Sequence, residues 1–288
     1  MASVAQLKGR IRSVNSTKQI TGAMELVSAS KMRRAASRTL ATKPYHKHIS
    51  DILMRLMDEG LSDGHPLFVH REVKTRLLIV VSSDTGLAGA YNANVMKKFI
   101  AEIERDRARD VKTVVIAAGK RITQFASRID GIEVLGTYDG LSTGSAAGAR
   151  AGIVDTAITM YRNAEVDAVD IIYTKYRSSI NQEVKMWKLL PAGHKPGVDT
   201  EEGESYKFEP SKERVFGALV KRTIEIQIAQ TVFDSAASEH STRMLAMKNA
   251  TDNANELVDD LTLAMNKERQ AAITTELSDI SNGANAVE

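Results

Sequence analysis

The sequence predicts an α/β protein: a long antiparallel coiled coil of N- and C-terminal helices plus a central, Rossmann-like α/β domain. Three observations carry this prediction. From Ala2 to about Leu56 the chain has no Pro before Pro44 and only two glycines, Gly9 and Gly22. The middle alternates short apolar runs with helical patterns. The segment from Ser211 to about Asn282 lacks Pro, has Gly217 as its only glycine, and keeps an apolar heptad seam. The resulting bounds are 1–57 for the N-terminal coiled-coil helix, 74–195 for the central α/β domain and 210–284 for the C-terminal coiled-coil helix.

Taken in order, the first helix would extend roughly 80 Å at 1.5 Å per residue, with Pro44 expected to kink it. Val4, Leu7, Ile11 and Val14 start a seam of 3,4 spacing, which breaks around Thr17 to Thr21 and resumes as Ile20, Met24 and Val27. Strands are expected at Thr75–Val81, Lys112–Ala118, Gly131–Leu135, Ala168–Tyr173 and Glu183–Leu190. Helices near Ala90–Arg109, Lys120–Ala126 and Ala146–Asn163 separate the first four. Such alternation means βαβ units around a mostly parallel sheet, with the last strand a candidate antiparallel edge. Pro191 to Pro210 reads as a polar, acidic loop with Glu201, Glu202 and Glu204, a hinge back into helix.

In the C-terminal helix, Leu219, Ile226, Phe233, His240, Met247, Ala254 and Leu261 recur every seven residues, and all but His240 are apolar. The positions three residues on are Arg222, Ala229, Ala236, Arg243, Ala250, Leu257 and Ala264; five are apolar, and the four alanines among them admit a close partner helix. That partner is expected to be the chain's own N-terminal helix. His240, Arg222 and Arg243 interrupt the seam, and an unpaired buried guanidinium is costly. Either the seam rotates there so that these side chains reach solvent, or another protein wraps the rod and supplies carboxylates or carbonyls to Arg243.

Composition excludes several classes of function. With 288 residues, 43% hydrophobic and 26% charged, the chain can bury a sizeable core. It has no Cys, so disulfides, thiolate catalysis and thiolate zinc sites are absent. Apolar runs reach about five residues, far below the roughly 20 that span a bilayer. Membrane association is therefore expected through a partner. Neither a signal peptide nor an Arg- and Ser-rich presequence is read at the start.

The net charge of +3 hides an asymmetry, because residues 1–50 carry ten Lys or Arg against Glu25 alone, or +9, leaving −6 for the rest. A basic arm suits nucleic acid, an acidic protein surface, or simply a solvated helix face. Tyr45 is its only aromatic residue, which disfavours stacking on bases.

The stretch SSDTGLAGAYNANV, Ser82 to Val95, follows an apolar strand and precedes a helical pattern, as phosphate loops do. It lacks the chemistry of one. Ala90 and Tyr91 follow Gly89 where a P-loop needs Lys and then Ser or Thr, and Gly86 and Gly89 do not make the three-glycine dinucleotide spacing. The second strand runs into Gly119 and Lys120 without a terminal acid. The simpler reading is a tight turn in which Gly86 or Gly89 takes a positive φ.

Longer motifs carry a resemblance across the chain. Thr17–Ile20 and Ala23–Met32 (AMELVSASKM) resemble the N-terminal helix of the γ subunit of F-type ATP synthase, bacterial type. SSDTGLAGAYN resembles the SDRGLCG-type signature of that family, with Thr85 in place of Arg and Ala88 in place of Cys. RMLAMKNATDNANE (Arg243–Glu256) and NKERQAAITTELSDI (Asn266–Ile280) are the most specific matches.

The resemblance implies a non-catalytic rotor. Its coiled coil would turn inside an α3β3 hexamer, its foot would rest on the membrane ring of c subunits with ε alongside, and proton flow would be coupled to ATP synthesis or hydrolysis on β. It implies no cofactor, metal or nucleotide, no nucleic acid, and a peripheral place on the cytoplasmic face of the cell membrane. It assigns Arg269, Gln270 and Thr274 to a grip on β, Met24 and Arg243 to an acidic segment of β, Lys97 to a further salt-bridging contact, and Tyr206 and Glu209 to the c ring. Thr85 puts one polar contact of the α/β domain in question. The alternative is a basic coiled-coil protein that binds nucleic acid.

Overall fold

The computed structural model describes residues 3–193 and 208–285. The elements, in order, are α1 (Val4–Asp58), β1 (Thr75–Val81), α2 (Tyr91–Arg107), β2 (Lys112–Ala118), α3 (Lys120–Ala126), β3 (Glu133–Tyr138), a short 3₁₀ turn, α4 (Ala147–Arg162), β4 (Ala168–Tyr176), β5 (Gln182–Leu190) and α5 (Lys212–Asn285). The chain divides into two compact units. One comprises Met1–Ala29 with Arg243–Glu288, and the other Ser30–Thr242.

The larger unit is built on a five-stranded sheet of order β3-β2-β1-β4-β5. The first four strands are parallel and β5 is the antiparallel edge. In β1 and β2 every residue but the first is buried, as expected of strands covered on both faces. The edge strand β3 instead alternates exposed and half-buried positions. It lies two to three residues later than the sequence suggests, because Gly131 adopts φ +77° in a turn and Glu133 is the first residue to pair with β2, opposite Val114.

Each face of the sheet has its own apolar layer. Leu78, Val80, Val115 and Ile172 meet Val95, Phe99 and Ile103 of α2 and Ile122 of α3. On the other face Leu77, Ile79, Ile116, Val169 and Ile171 meet Ile153 and Ala157 of α4, Leu56 of α1, and Phe216, Val220, Ile224, Ile228 and Val232 of α5. Each fully buried side chain of this kind contributes about 1.5–3 kcal/mol. The four-residue spacing of that α5 stripe is invisible to a heptad count. This stretch of α5 is buried by the sheet, and its seam residues Ile226 and Phe233 are buried as well.

In this unit α5 also runs against α1, and the direction can be read from side chains. Lys212 Nζ meets Glu59 at 2.6 Å, Arg222 Nε donates to Tyr45 Oη at 3.2 Å, and Ala236 and Ala237 cluster with Ala35. Residue numbers rise on one helix as they fall on the other, so the pair is antiparallel. Arg222 therefore reaches the surface, over the Tyr45 ring and paired with Glu225. The helix α1 runs through Pro44, held on the far side by Ile49 and Leu56, which are buried.

In the smaller unit the hydroxyls of Thr21 and Thr251 meet at 2.7 Å. Leu7, Thr21 and Ser28 of α1 and Arg243, Met247 and Ala254 of α5 are buried. Leu7 lies fourteen residues before Thr21, so its partner must lie as far beyond Thr251, near the half-buried Met265. The same count from Val4, the first residue of α1, reaches Glu268, beyond which α1 offers no further cover.

A buried ionic hub holds the α/β layer together. Arg76 of β1 reaches Asp170 of β4 at 2.7 Å, Asp106 of α2 at 2.8 Å and Glu102 of α2 at 3.4 Å. Thr113 of β2 donates to Asp106, and Lys98 and Arg105 pair with Glu102. Burial disfavours the charged Arg76, but Asp170 and Asp106 outweigh it and its pKa is raised. Burial raises Asp170, and Arg76 offsets this only in part. Burial also works to raise Glu102, yet Lys98, Arg76 and Arg105 outweigh it and hold its carboxyl below the ordinary 4.5.

A depressed carboxyl stabilises the fold above its unfolded pKa and loses that contribution as pH falls through the folded value. We expect acid to destabilise the chain below pH 4.5, with Asp170 working in the opposite sense over its own range. The Glu102→Gln variant should show a shallower loss of urea midpoint between pH 5 and pH 3 than the wild type. An unchanged slope would assign the acid sensitivity to other groups.

Candidate functional site

The glycine-rich turn after β1 is closed by the protein's own oxygens. At the start of α3, Lys120 N–H donates to Asp84 Oδ1 (3.1 Å), Arg121 N–H to the Ser83 carbonyl (3.1 Å) and Ile122 N–H to Ser82 Oγ (2.9 Å). The other Asp84 oxygen accepts from Gly140 N–H at 2.9 Å. These helix-start donors are the groups that a phosphate would take, and a carboxylate already holds the place. The cavity at the carboxyl ends of β1 and β2 is lined by Ser82, Asp84, Gly119, Ser142, Ser235 and Glu239 among others, with two carboxylates and no Lys or Arg. A bound phosphate would meet the carboxylates of Asp84 and Glu239, while the nearby guanidiniums of Arg38 and Arg150 are turned to the Ser142 and Leu141 carbonyls.

The turn itself explains its glycines. Gly89 has φ +52° and Leu87 +60°, so one of the two glycines singled out in the sequence takes the left-handed conformation. At Gly86 a Cβ would lie 2.7 Å from Arg121 Nη2. A guanidinium from α3 thus sits beside the turn next to Thr85, where the family pattern has an Arg. Asp84 and Arg121 were not singled out as functional from sequence. The signal for Asp84 was its place in SSDTG, where Asp commonly caps backbone N–H groups.

The residues assigned to partner contacts fall into distinct settings. Arg269, Gln270 and Thr274 are all exposed on α5, and Thr274 Oγ1 donates to the Gln270 carbonyl at 2.9 Å, so Thr274 sits one turn beyond Gln270 on the same face. Around them Leu263, Ile273, Leu277 and Ile280 are 48–69% exposed. Lys97 is exposed on α2 and Met24 half-buried on α1. Arg243 is only 6% exposed and engaged inside the chain. Glu209 is exposed just before α5, whereas Tyr206 lies outside the described residues. Among the described residues no group of His, Asp or Glu could hold a metal ion, and no helix is long and apolar enough to cross a membrane.

The chain matches the family model described as ATP synthase over residues 3–287. It is 38% identical to the ATP synthase gamma chain of Glaesserella parasuis serovar 5, covering all of both chains, and 37% identical to that of Exiguobacterium sibiricum over 99% of each. Its fold is similar to a chain of Euglena gracilis mitochondrial ATP synthase, with TM-score 0.69 and 16% identity over 99% of this chain and 94% of that one. It is also similar to a chain of the Tetrahymena thermophila mitochondrial ATP synthase central stalk, with TM-score 0.60 and 22% identity over 80% of this chain and 99% of that one. None of these comparisons supports the nucleic-acid alternative. With its long terminal helices, doubly covered sheet and self-capped glycine turn, the chain belongs to the ATP synthase family, among the gamma chains.

Proposed function

We propose that the chain is the central-stalk rotor subunit of an F-type ATP synthase, non-catalytic itself, which carries rotation of a c ring to the β subunits of an α3β3 hexamer. The observation that carries this reading is the bare end of α5. A helix with Ile273, Leu277 and Ile280 turned outward, beyond the reach of α1, needs a sleeve supplied by other chains. The α and β subunits would be that sleeve, with Arg269, Gln270 and Thr274 gripping β, Met24 and Arg243 at an acidic segment of β, where Arg243 would have to turn out of its buried place, and Lys97 in a further salt-bridging contact.

Glu209 and Tyr206 would face the c ring, with ε beside the α/β unit and the assembly on the cytoplasmic face of the cell membrane. The work done on β is differential contact: a shaft face that binds one β conformation better than another shifts the population toward it. Chemistry and nucleotide stay on β. The closed Ser82–Tyr91 turn accords with that division.

The test is assembly from parts. Purified chain mixed with α and β subunits of the same organism should co-elute as one copy per three αβ pairs and support ATP hydrolysis. The Arg269→Ala, Gln270→Ala double variant, or a chain shortened past Gln270 so that it ends before Arg269, should lower that hydrolysis by about three- to tenfold through lost polar contacts. Elution of the chain alone, with α and β unaffected, would sink the reading.

A further inference from the structure

Serines of α5 bind strand β4 as a neighbouring strand would. β1 pairs with β4 only as far as Val80 opposite Ile172 and ends at Val81, so the β4 backbone beyond that point has lost its neighbour on that side. At Thr174 the helix takes over. Thr174 N–H donates to Ser235 Oγ at 3.1 Å, and Ser238 Oγ donates to the Thr174 carbonyl at 3.3 Å. Thr174 lies opposite Val184 of β5 on its other side, so these bonds fill the vacated edge. One turn on, Ser241 Oγ donates to the Ser179 carbonyl at 2.7 Å and accepts from Gln182 Nε2 at 3.4 Å, spanning the turn between β4 and β5. The three serines are 0–1% exposed. Between the first two lie the buried Ala236 and Ala237, which pack with Ala35 of α1 and Tyr176 of β4.

We propose that Ser235, Ser238 and Ser241 are positioning residues that clamp α5 to the β4–β5 hairpin and so pass torque between that helix and the α/β unit. This rests on the rotor reading above. Apolar packing is non-directional and permits a helix to slide or roll on a sheet. Hydrogen bonds to a strand backbone are directional, and twisting α5 against the sheet would leave the buried N–H and carbonyl of Thr174 unsatisfied, and would take from the half-buried Ser179 carbonyl one of its two donors, Gln182 Nε2 being the other. The apolar stripe from Phe216 to Val232 supplies adhesion, and the serines supply resistance to rotation.

The test uses the complete ATP synthase in vesicles, comparing ATP hydrolysis with ATP-driven proton uptake for the wild type, the Ser235→Ala, Ser238→Ala, Ser241→Ala triple variant, and Ser241→Ala alone. In the variants hydrolysis should persist while protons moved per ATP fall, and Ser241→Thr, which keeps the hydroxyl, should restore the ratio. Hydrogen exchange at the Thr174 amide should quicken by about tenfold or more when Ser235 is lost. If the triple variant fails to assemble, Ser235→Ala alone, which removes the acceptor of the Thr174 N–H, decides by the same two readouts. A wild-type ratio in a variant whose Thr174 exchange has quickened would overturn the clamp and leave the rotor intact. Equal proton uptake by complexes lacking this chain would overturn the rotor reading itself.

Discussion

Arg76→Met is expected to lower the unfolding free energy of the chain by about 3–5 kcal/mol, the cost of breaking a buried ion pair from one side. Met keeps the unbranched apolar stem and leaves out the guanidinium, so the charge and its hydrogen bonds are what is chiefly lost. Asp106 and Asp170 would remain buried at 4% and 7% exposure without the guanidinium that bridges them. They would then have to take up protons or draw in water. Glu102 is better protected, because Lys98 and Arg105 still pair with it. Urea unfolding followed by circular dichroism gives the loss. Adding Asp170→Asn to Arg76→Met should recover part of it, since the second change removes one stranded charge. A loss below about 1 kcal/mol, the scale of a surface pair, would mean that the hub is hydrated and contributes little.

Gly119→Ala is expected to cost about 3 kcal/mol or more, from backbone strain together with a clash. Gly119 sits between β2 and α3 at φ +117° and ψ +143°, a region that residues with a Cβ rarely adopt. A methyl there would lie 2.5 Å from the Ser82 carbonyl oxygen and 2.6 Å from Ser82 Oγ. Relief would require β1 and β2 to part at the point where Ser82 N–H donates to Ala118. It would also break the Ser82 Oγ bond to Ile122 N–H that caps α3. Thermal unfolding reports the effect. Gly140→Ala is the control, with φ +61° but nothing within 4 Å of the added carbon, and should lose far less. Equal losses at both positions would assign the cost to φ alone.

Where the pattern of a segment depends on neighbours within a few residues, the sequence is easily legible. Thr75–Val81, Lys112–Ala118 and Lys120–Ala126 are read from it with the bounds they have in the structure, because apolar runs and a following glycine are local signals. Leu135 misled for the same reason: the apolar character around it continues a strand that starts only where β2 offers a partner. The residues of the proposed grip on β are legible because they sit in long specific motifs, and their exposure on α5 agrees with a surface role.

Other features have no local trace. Arg76 reads as a polar interruption of an apolar strand, and Glu102 and Asp106 as an ordinary acidic pair four apart on a helix; only the packing of α2 on β1 and β4 brings them into one hub. The serines at 235, 238 and 241 read as small residues near a heptad seam, and it is the early end of β1 that turns them into a substitute strand edge. By itself the sequence determined the helices, the alternating strands and the family, because periodicity and motif are properties of neighbouring residues. The tertiary structure alone decided which polar groups are buried, what satisfies them and which α5 face meets the sheet, because a buried charge or hydroxyl is defined by partners far away in the chain.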